Sequence, residues 1–480
     1  MENRIVRTSV GSFFQMALLN LSSIITTIVL ARVLSLEQFG IYSLVNAVVF
    51  AITIVFSLGI PSSTARFIAL SSDQQFRRVV VGRALSVLLP WLIICTGAYF
   101  LFYSFVARHF FPDLSSSSLM WIIFALAIIE LARLLVDKLS HGLSRMSIAV
   151  ELSAYSSVLL VLMLIGAGLF YEGAAAVLFA KVLALLLPLP LAFRNLLRVF
   201  NQSNVGKDQM PPAVFDIAWY GLPLLIISLA AFCFLQADLL LLGRFLDLSA
   251  VGLYSICAFV YVRLTIFPRA VGNGLAPYMA NAQDSGGWTD KFGDGMCYAM
   301  SFVLPITIFC AIDGAFLLNI FFGEKYVAVA PVFRLLSLYF FMSSFLAVIN
   351  PILDFSGKAF SRALAVVLGA ALNIALDILW IPVFGLHGAA YATLAGYALF
   401  FSIIVSTLNR SAINGLLRNK KVWNLVVINI LLSIALFLFR AFFPSSFSIV
   451  LYTVLPLLYL ALLLTFNIYN LKEISGKLLH

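Results

Sequence analysis

Apolar runs parted by short polar clusters follow one another from residue 10 to residue 468. Fourteen of them reach the length of about 20 residues needed to cross about 30 Å of hydrocarbon. They run over 10–31, 39–60, 82–106, 117–137, 147–170, 173–194, 213–238, 250–279, 294–320, 328–351, 361–382, 387–408, 422–441 and 445–468. Lipid offers the backbone no hydrogen-bond partner, so each run predicts a transmembrane helix. The first run is longer than the apolar part of a secretory signal, lacks a clear small-residue cleavage site and leads straight into further runs, so it is read as a retained span. The expected fold class is an all-α polytopic membrane protein with 14 transmembrane helices.

Composition agrees: 63% of the residues are hydrophobic and 10% are charged, with a mean hydropathy of +1.07. No water-soluble core needs that much apolar surface. Lys and Arg mark cytoplasmic loops, and each span swaps sides. With residue 1 inside, 21 of the 30 Lys and Arg fall in inside segments, 5 (Arg32, Arg108, Arg244, Lys325, Arg440) in outside loops and 4 within spans. Both termini are therefore expected in the cytoplasm. The net charge of +10 reads as membrane orientation and contact with anionic lipids of the inner leaflet. No soluble basic domain suggests nucleic-acid binding.

The chain also repeats itself. "LARVLSLEQFGIYS" begins at Leu30 and "LLGRFLDLSAVGLYS" ends at Ser255. Aligned without a gap, Leu30, Arg32, Leu34, Leu36, Gly40, Tyr42 and Ser43 recur 212 residues later as Leu242, Arg244, Leu246, Leu248, Gly252, Tyr254 and Ser255. "GAAAVLFA" from Gly173 and "GAAYATLA" from Gly388 match at an offset of 215. An offset of six spans keeps both copies in one orientation, as in a parallel repeat about an axis along the membrane normal. The expectation is an N-terminal six-helix lobe over 1–200, a cytoplasmic inter-lobe loop over 201–212, a second six-helix lobe over 213–410, and two further helices with a cytoplasmic tail over 411–480. The bland alternative is that G-x-Y-S and G-A-A are common helix-start and small-residue packing motifs.

An enzyme reading is poor. His109, His141, His387 and His480 are scattered, and Cys95, Cys233, Cys257, Cys297 and Cys310 show no C-x-x-C spacing. No disulfide framework, zinc, haem or other cofactor is expected, and no phosphate-loop motif is present for ATP hydrolysis.

Charges inside spans are costly in lipid and usually face a cavity. Lys181 lies eight residues into its span, about 12 Å deep, and Arg263 and Arg269 share another span about 9 Å apart along its axis. Pro268 stands between the two arginines, so a kink is expected there. The 212-residue shift places Ala51 and Ser57 at the matching positions, so the scaffold does not require these charges. A guanidinium can fork two parallel bonds to a phosphate. With Arg66 at the inner end of the second span, Lys181, Arg263 and Arg269 suit a diphosphate; ion-paired or snorkelling side chains are the structural alternative. Glu130, Glu151, Asp313 and Asp377 also lie within spans. Asp313, Arg334 and Asp377 fall at similar depth near the outer surface, as an ion-pair cluster at a gate or a site for a coupling ion, H+ or Na+. Glu130 and Glu151, further candidates for gating or coupling, lie nearer the inner side, within reach of Arg66 or Arg133.

"LARVLSLEQFGIYSL", "LGIPSSTARFIA", "WYGLPLLI", "ADLLLLGRFLDLSAVGLYSI" and "FPRAVGNGLAPYMA" together resemble the Wzx-type oligosaccharide flippases of the multidrug, oligosaccharidyl-lipid and polysaccharide exporter superfamily. The resemblance covers nearly the whole chain. It implies two lobes around a V-shaped cavity and residence in a bacterial cytoplasmic membrane. It also implies a polyprenyl-diphosphate-linked oligosaccharide as cargo, moved outward by alternating access, with membrane lipids, a polysaccharide polymerase and chain-length machinery as partners. Related lipid II flippases use cavity arginines of their spans 1, 2 and 8. Arg66, Arg263 and Arg269 fit that pattern, but span 1 carries only Arg4 and Arg7 at its start. A cation-coupled drug exporter would share the fold, with a cavity lined by acids and aromatics. A non-transporting scaffold leaves the buried charges without a purpose.

The charge split places Asn204 inside and Ser116 outside. In a cysteine-free background, an impermeant thiol reagent should label Ser116→Cys but not Asn204→Cys in intact cells; the reverse pattern would overturn the orientation.

Overall fold

A computed structural model describes residues 2–71, 73–110, 117–170, 173–201, 210–281, 288–355, 358–408, 410–442, 448–466 and 468. Asn204 and Ser116 lie outside these. Among the described residues, helices account for almost everything: α1 (Glu2–Val33), α2 (Leu36–Ser57), α3 (Ile60–Ala69), α4 (Gln74–Phe110), α5 (Ser117–Gly142), α6 (Met146–Phe170), α7 (Ala174–Leu186), α8 (Leu189–Asn201), α9 (Val214–Phe232), α10 (Asp238–Phe245), α11 (Leu248–Leu264), α12 (Ile266–Asn281), α13 (Trp288–Phe322), α14 (Ala330–Phe355), α15 (Ala359–Phe384), α16 (Leu386–Thr407), α17 (Arg410–Arg418), α18 (Lys420–Phe442) and α19 (Ser448–Thr465). A π-helical turn, Cys233–Ala237, joins α9 to α10, and a 3-10 turn, Glu324–Val329, precedes α14. Thirteen stretches of the described residues are long and apolar enough to cross a membrane. The fourteenth run holds α19.

Several spans consist of two helices, and the breaks have local causes. The second run closes at the break between α2 and α3, where Leu58 (φ 47°) and Gly59 (φ 70°) turn left-handed. Pro61 then sits in the first turn of α3, where its missing N–H costs no helical bond. Span eight divides at Thr265, because Pro268 cannot donate to the preceding turn, and the kink expected between Arg263 and Arg269 is present.

Helix boundaries recur at the repeat spacing of 212 residues: α1 and α10 end at Val33 and Phe245, and α2 and α11 begin at Leu36 and Leu248. So do the ends of α4 and α13 at Phe110 and Phe322, and the starts of α7 and α16 at Ala174 and Leu386. The chemistry at these starts is alike. Ser35 Oγ accepts from the Gln38 N–H at 3.2 Å, and Asp247 Oδ1 accepts from the Ala250 N–H at 2.7 Å. The second sequence match needs correction. Gly173 (φ 142°) corresponds to Gly385 (φ 58°), each immediately before a helix, whereas Gly388 lies within the first turn of α16. The 215 offset follows the small residues Gly-Ala-Ala, but the backbone register follows the glycine that can adopt positive φ.

The chain forms two compact units. Unit 1 comprises Met1–Ile256, Phe321–Lys325 and Ile381–Leu386; unit 2 comprises Cys257–Ile320, Tyr326–Trp380 and His387–His480. In unit 1 the two repeat copies are each other's partners. A Cβ on Gly40 would lie 1.8 Å from Leu248 O, and one on Gly252 would lie 2.3 Å from Leu36 O. Ser43 Oγ donates to Ser255 Oγ across the same crossing at 3.0 Å. Nearby, Arg32 Nε donates to Phe321 O at the end of α13 at 3.0 Å, and Lys325 Nζ, in the 3-10 turn that follows α13, donates to Leu34 O and to Arg32 O at the end of α1. In unit 2, Tyr261 stacks on Phe333 and donates to Phe333 O at 2.6 Å. Tyr459 on α19 donates to Ser301 O on α13 and accepts from Asn429 on α18. The Tyr459 bonds tie α18 and α19 to α13 within unit 2.

The crossing leaves no room for a side chain. Gly40→Val or Gly252→Val should cost about 1–3 kcal/mol or more, read as a lower melting temperature in detergent. Gly97→Ala, with nothing within 4 Å of its added methyl, should melt like the parent. Equal melting of Gly40→Val and Gly97→Ala would refute the close apposition.

Candidate functional site

The sequence-selected cations divide between the units. In unit 1, Arg66 lies on the exposed side of α3, which is wedged between two helices. A Cβ on Gly59 would lie 2.1 Å from Gly221 O on α9, and one on Gly142 of α5 would lie 2.6 Å from Ala65 O. Ser63 Oγ donates to Ile217 O on α9 at 2.7 Å. One turn further along this interface the Arg66 guanidinium carbon stands 4.0 Å from the centroid of the Tyr220 ring.

Lys181 is half-buried on α7 and donates to Asn46 Oδ1 on α2. The Asn46 amide is itself oriented, since its Nδ2 donates to Tyr42 O at 2.7 Å. At the 212-residue spacing the corresponding residues are Thr393 and Ala258, so this pair belongs to the first copy alone.

The acids of unit 1 are engaged elsewhere. Glu130 Oε2 is 3.6 Å from Arg133 Nε, one helical turn away, while Arg133 Nη1 also donates to Ser156 Oγ on α6. Glu151 is exposed and accepts from Asn195 Nδ2 at 3.0 Å. Three other arginines act as helix caps and linker clamps. Arg77 donates to Ile68 O and Ser71 O, Arg78 to Phe200 O, and Arg83 to Pro211 O and Pro212 O.

In unit 2, Arg263 is half-buried in the last turn of α11, 5.4 Å over the Phe259 ring, and Arg269 is exposed on α12 beyond the Thr265 break. Asp313 is buried at a kink in α13 (φ −110°, ψ 23°). Arg334, in the second turn of α14, packs against the neighbouring Gly314: its Cγ lies 3.3 Å from where a Cβ on Gly314 would stand. Asp377 is fully buried on α15, four residues after the fully buried Asn373. Neither polar atom of the Asn373 side chain has a hydrogen-bond partner among the described residues.

Sequence reasoning missed Asn46, Tyr220 and Asn373, which are neutral and drew no attention beside charges. It also missed the buried Asp238, which accepts from Tyr254 OH at 2.7 Å and follows the π-helical turn. Asn inside an apolar run, and an acid one helix away from a repeat tyrosine, were the available signals. Among the described residues, no group of three or more His, Cys, Asp and Glu could hold a metal ion.

A chain whose described residues are almost entirely helical, with 13 candidate spans among them, is a multi-pass membrane protein. Its fold matches the lipid II flippase MurJ in an inward closed conformation, with TM-score 0.67 and 13% identity, over 99% of this chain and 100% of that one. It also matches the MATE multidrug transporter DinF-BH, with TM-score 0.61 and 16% identity, over 87% of this chain and 97% of that one. The two matches show that the fold is shared with these transporters. An uncharacterized membrane protein of Methanocaldococcus jannaschii is 29% identical over 214 residues, 44% of this chain and 42% of that protein; the match thus spans less than half of that relative. The "Putative O-antigen transporter" of Shigella flexneri is 22% identical over 400 residues, 80% of this chain and 93% of that protein. The model of the polysaccharide biosynthesis protein family matches residues 7–283, more than half of the chain, and the chain belongs to that family. This bears out the resemblance drawn from the motifs: the protein is of a transporter family and is not an enzyme.

The contact between Asn46 and Lys181 is open to test. Asn46→Ala should lower stability by about 1–3 kcal/mol, since Lys181 loses an acceptor inside the span. In thermal melts, adding Lys181→Met should cost less in the Asn46→Ala background than in the parent; strictly additive losses would show that the two side chains are not coupled.

Proposed function

We propose that the protein is a flippase of the bacterial cytoplasmic membrane. It moves a polyprenyl-diphosphate-linked oligosaccharide from the cytoplasmic to the outer leaflet, for O-antigen or other cell-surface polysaccharide synthesis. The reading takes 14 spans with both termini cytoplasmic, two six-helix lobes around a V-shaped cavity, and α18 and α19 as the two added helices. Alternating access exposes the cavity to each side in turn. A polysaccharide polymerase and chain-length machinery receive the product.

The observation that carries the reading is family membership together with cations at membrane depth that the repeat does not require. Arg66, Lys181, Arg263 and Arg269 bind the diphosphate while the polyprenyl tail stays in lipid. Arg133, paired with Glu130 on α5, ties α5 to α6 through Ser156, and Glu151 ties α6 to α8 through Asn195. Asp313 and Arg334 serve the gate. Asp377, one turn from the unsatisfied Asn373 amide, is the place for a coupling H+ or Na+. The MATE-like fold supports a second reading, a cation-coupled drug exporter. Uptake of a fluorescent cation into vesicles separates the two. A lipid II cargo is less well supported, because the first span lacks internal arginines beyond Arg4 and Arg7.

A buried charge-assisted contact contributes about 1.5–3 kcal/mol, roughly one to two orders of magnitude in binding. Arg263→Ala or Arg269→Ala should insert normally and trap the lipid-linked repeat unit on the cytoplasmic face. Lys at either position should restore part of the export, since charge survives and the fork is lost. Full export by a well-expressed Arg263→Ala, Arg269→Ala variant would remove the diphosphate site.

A further inference from the structure

We infer that Tyr220 is a positioning residue that presents Arg66 to the diphosphate of the cargo, an inference that rests on the function proposed above. Arg66 differs from Arg77, Arg78 and Arg83 in how it is held. Those three direct N–H donors at backbone carbonyls. Arg66 is held by its face: its guanidinium carbon is 4.0 Å from the Tyr220 centroid, and no hydrogen bond or ion pair engages its donors among the described residues.

The distinction is chemical. A cation over an aromatic ring is attracted by the ring's quadrupole. The contact uses the π face of the guanidinium and leaves its in-plane N–H groups to fork onto an anion. A carboxylate in the same place would occupy those donors and cancel the charge. Tyr220 therefore restricts the Arg66 side chain while leaving it both cationic and able to donate.

Tyr220 is itself fixed. Its ring meets Phe67 edge-on, with centroids 6.1 Å apart. The α3–α9 interface is closed independently by the approach of Gly59 to Gly221 and by the bond from Ser63 to Ile217 O. Removing the ring should therefore leave α3 docked and release only the arginine.

The test is a double-mutant cycle on the purified full-length protein in detergent. It reads binding of geranylgeranyl diphosphate, with inorganic pyrophosphate as competitor, beside a melting curve for each variant. Tyr220→Leu should weaken binding by about 3- to 10-fold with little change in melting, and Tyr220→Phe should bind like the parent. Arg66→Ala should weaken it further, and Tyr220→Leu added to Arg66→Ala should cause no further loss. Tyr220→Met, which keeps bulk without a π face, should repeat the Leu result and serves if the Leu variant folds poorly. If the Leu and Arg66→Ala losses multiply, the ring acts through something other than Arg66 and the inference falls. If Arg66→Ala weakens binding and the loss of the ring does not, the inference falls while the diphosphate site stands. If Arg66→Ala binds like the parent, Arg66 leaves the site and the inference goes with it.

Discussion

Hydrocarbon cannot hydrogen-bond to a peptide group, and the organisation of this chain follows from that constraint. Backbone that crosses the membrane must satisfy itself, so helices fill the spans and every interruption needs a local remedy. At Leu58 and Gly59 the chain turns left-handed, and Pro61 restarts a helix at the one place where a missing N–H is harmless. At Thr265 the interruption is caused by Pro268. Where two backbones must also approach closely, glycine is the only residue that fits: Gly40 against Leu248 O, Gly59 against Gly221 O and Gly142 against Ala65 O. Here glycine is selected by contact distance in addition to conformational freedom.

The duplicated scaffold and the unduplicated charges carry different information. Helix boundaries recur every 212 residues because caps and left-handed glycines recur, although the residues that supply them differ, as Ser35 and Asp247 do. The repeat segments at Gly40 and Gly252 are retained because each packs on the other, which makes the sequence of either copy a constraint on its twin. Lys181 with Asn46 has no such counterpart, since Thr393 and Ala258 stand at those positions. A charge placed at only one of two matching sequence positions, against the cost of burying it, points to a role that packing does not explain.

Cations in this protein do at least three kinds of work, distinguished by what touches them. Arg77, Arg78, Arg83, Arg32 and Lys325 close carbonyl ends of helices or hold linkers. Arg133, Arg362 and Lys421 form ion pairs with Glu130, Asp354 and Asp294. Arg66 and Arg263 lie against aromatic faces, and Lys181 against an amide oxygen. Residue type alone would place all of these in one class.

The sequence by itself determined the all-helical membrane class, most span positions, the repeat and the family, because hydropathy is a sum over about 20 neighbouring residues and survives ignorance of contacts. It also located most of the charges in the spans, Asp238 excepted, since a charge in an apolar run is visible without coordinates. Only the tertiary structure decided that Gly173 pairs in register with Gly385 rather than Gly388, because small-residue similarity does not report backbone torsion. It alone showed that Glu130 belongs to Arg133 and Glu151 to Asn195, and that Arg66 rests on Tyr220, 154 residues away in the chain. Those partners lie on different helices or face one way round a helix, and a linear pattern holds no distance between them. Asn46, Tyr220 and Asn373 stayed invisible for the same reason: a neutral side chain becomes significant only when the structure shows what it holds, or what it lacks.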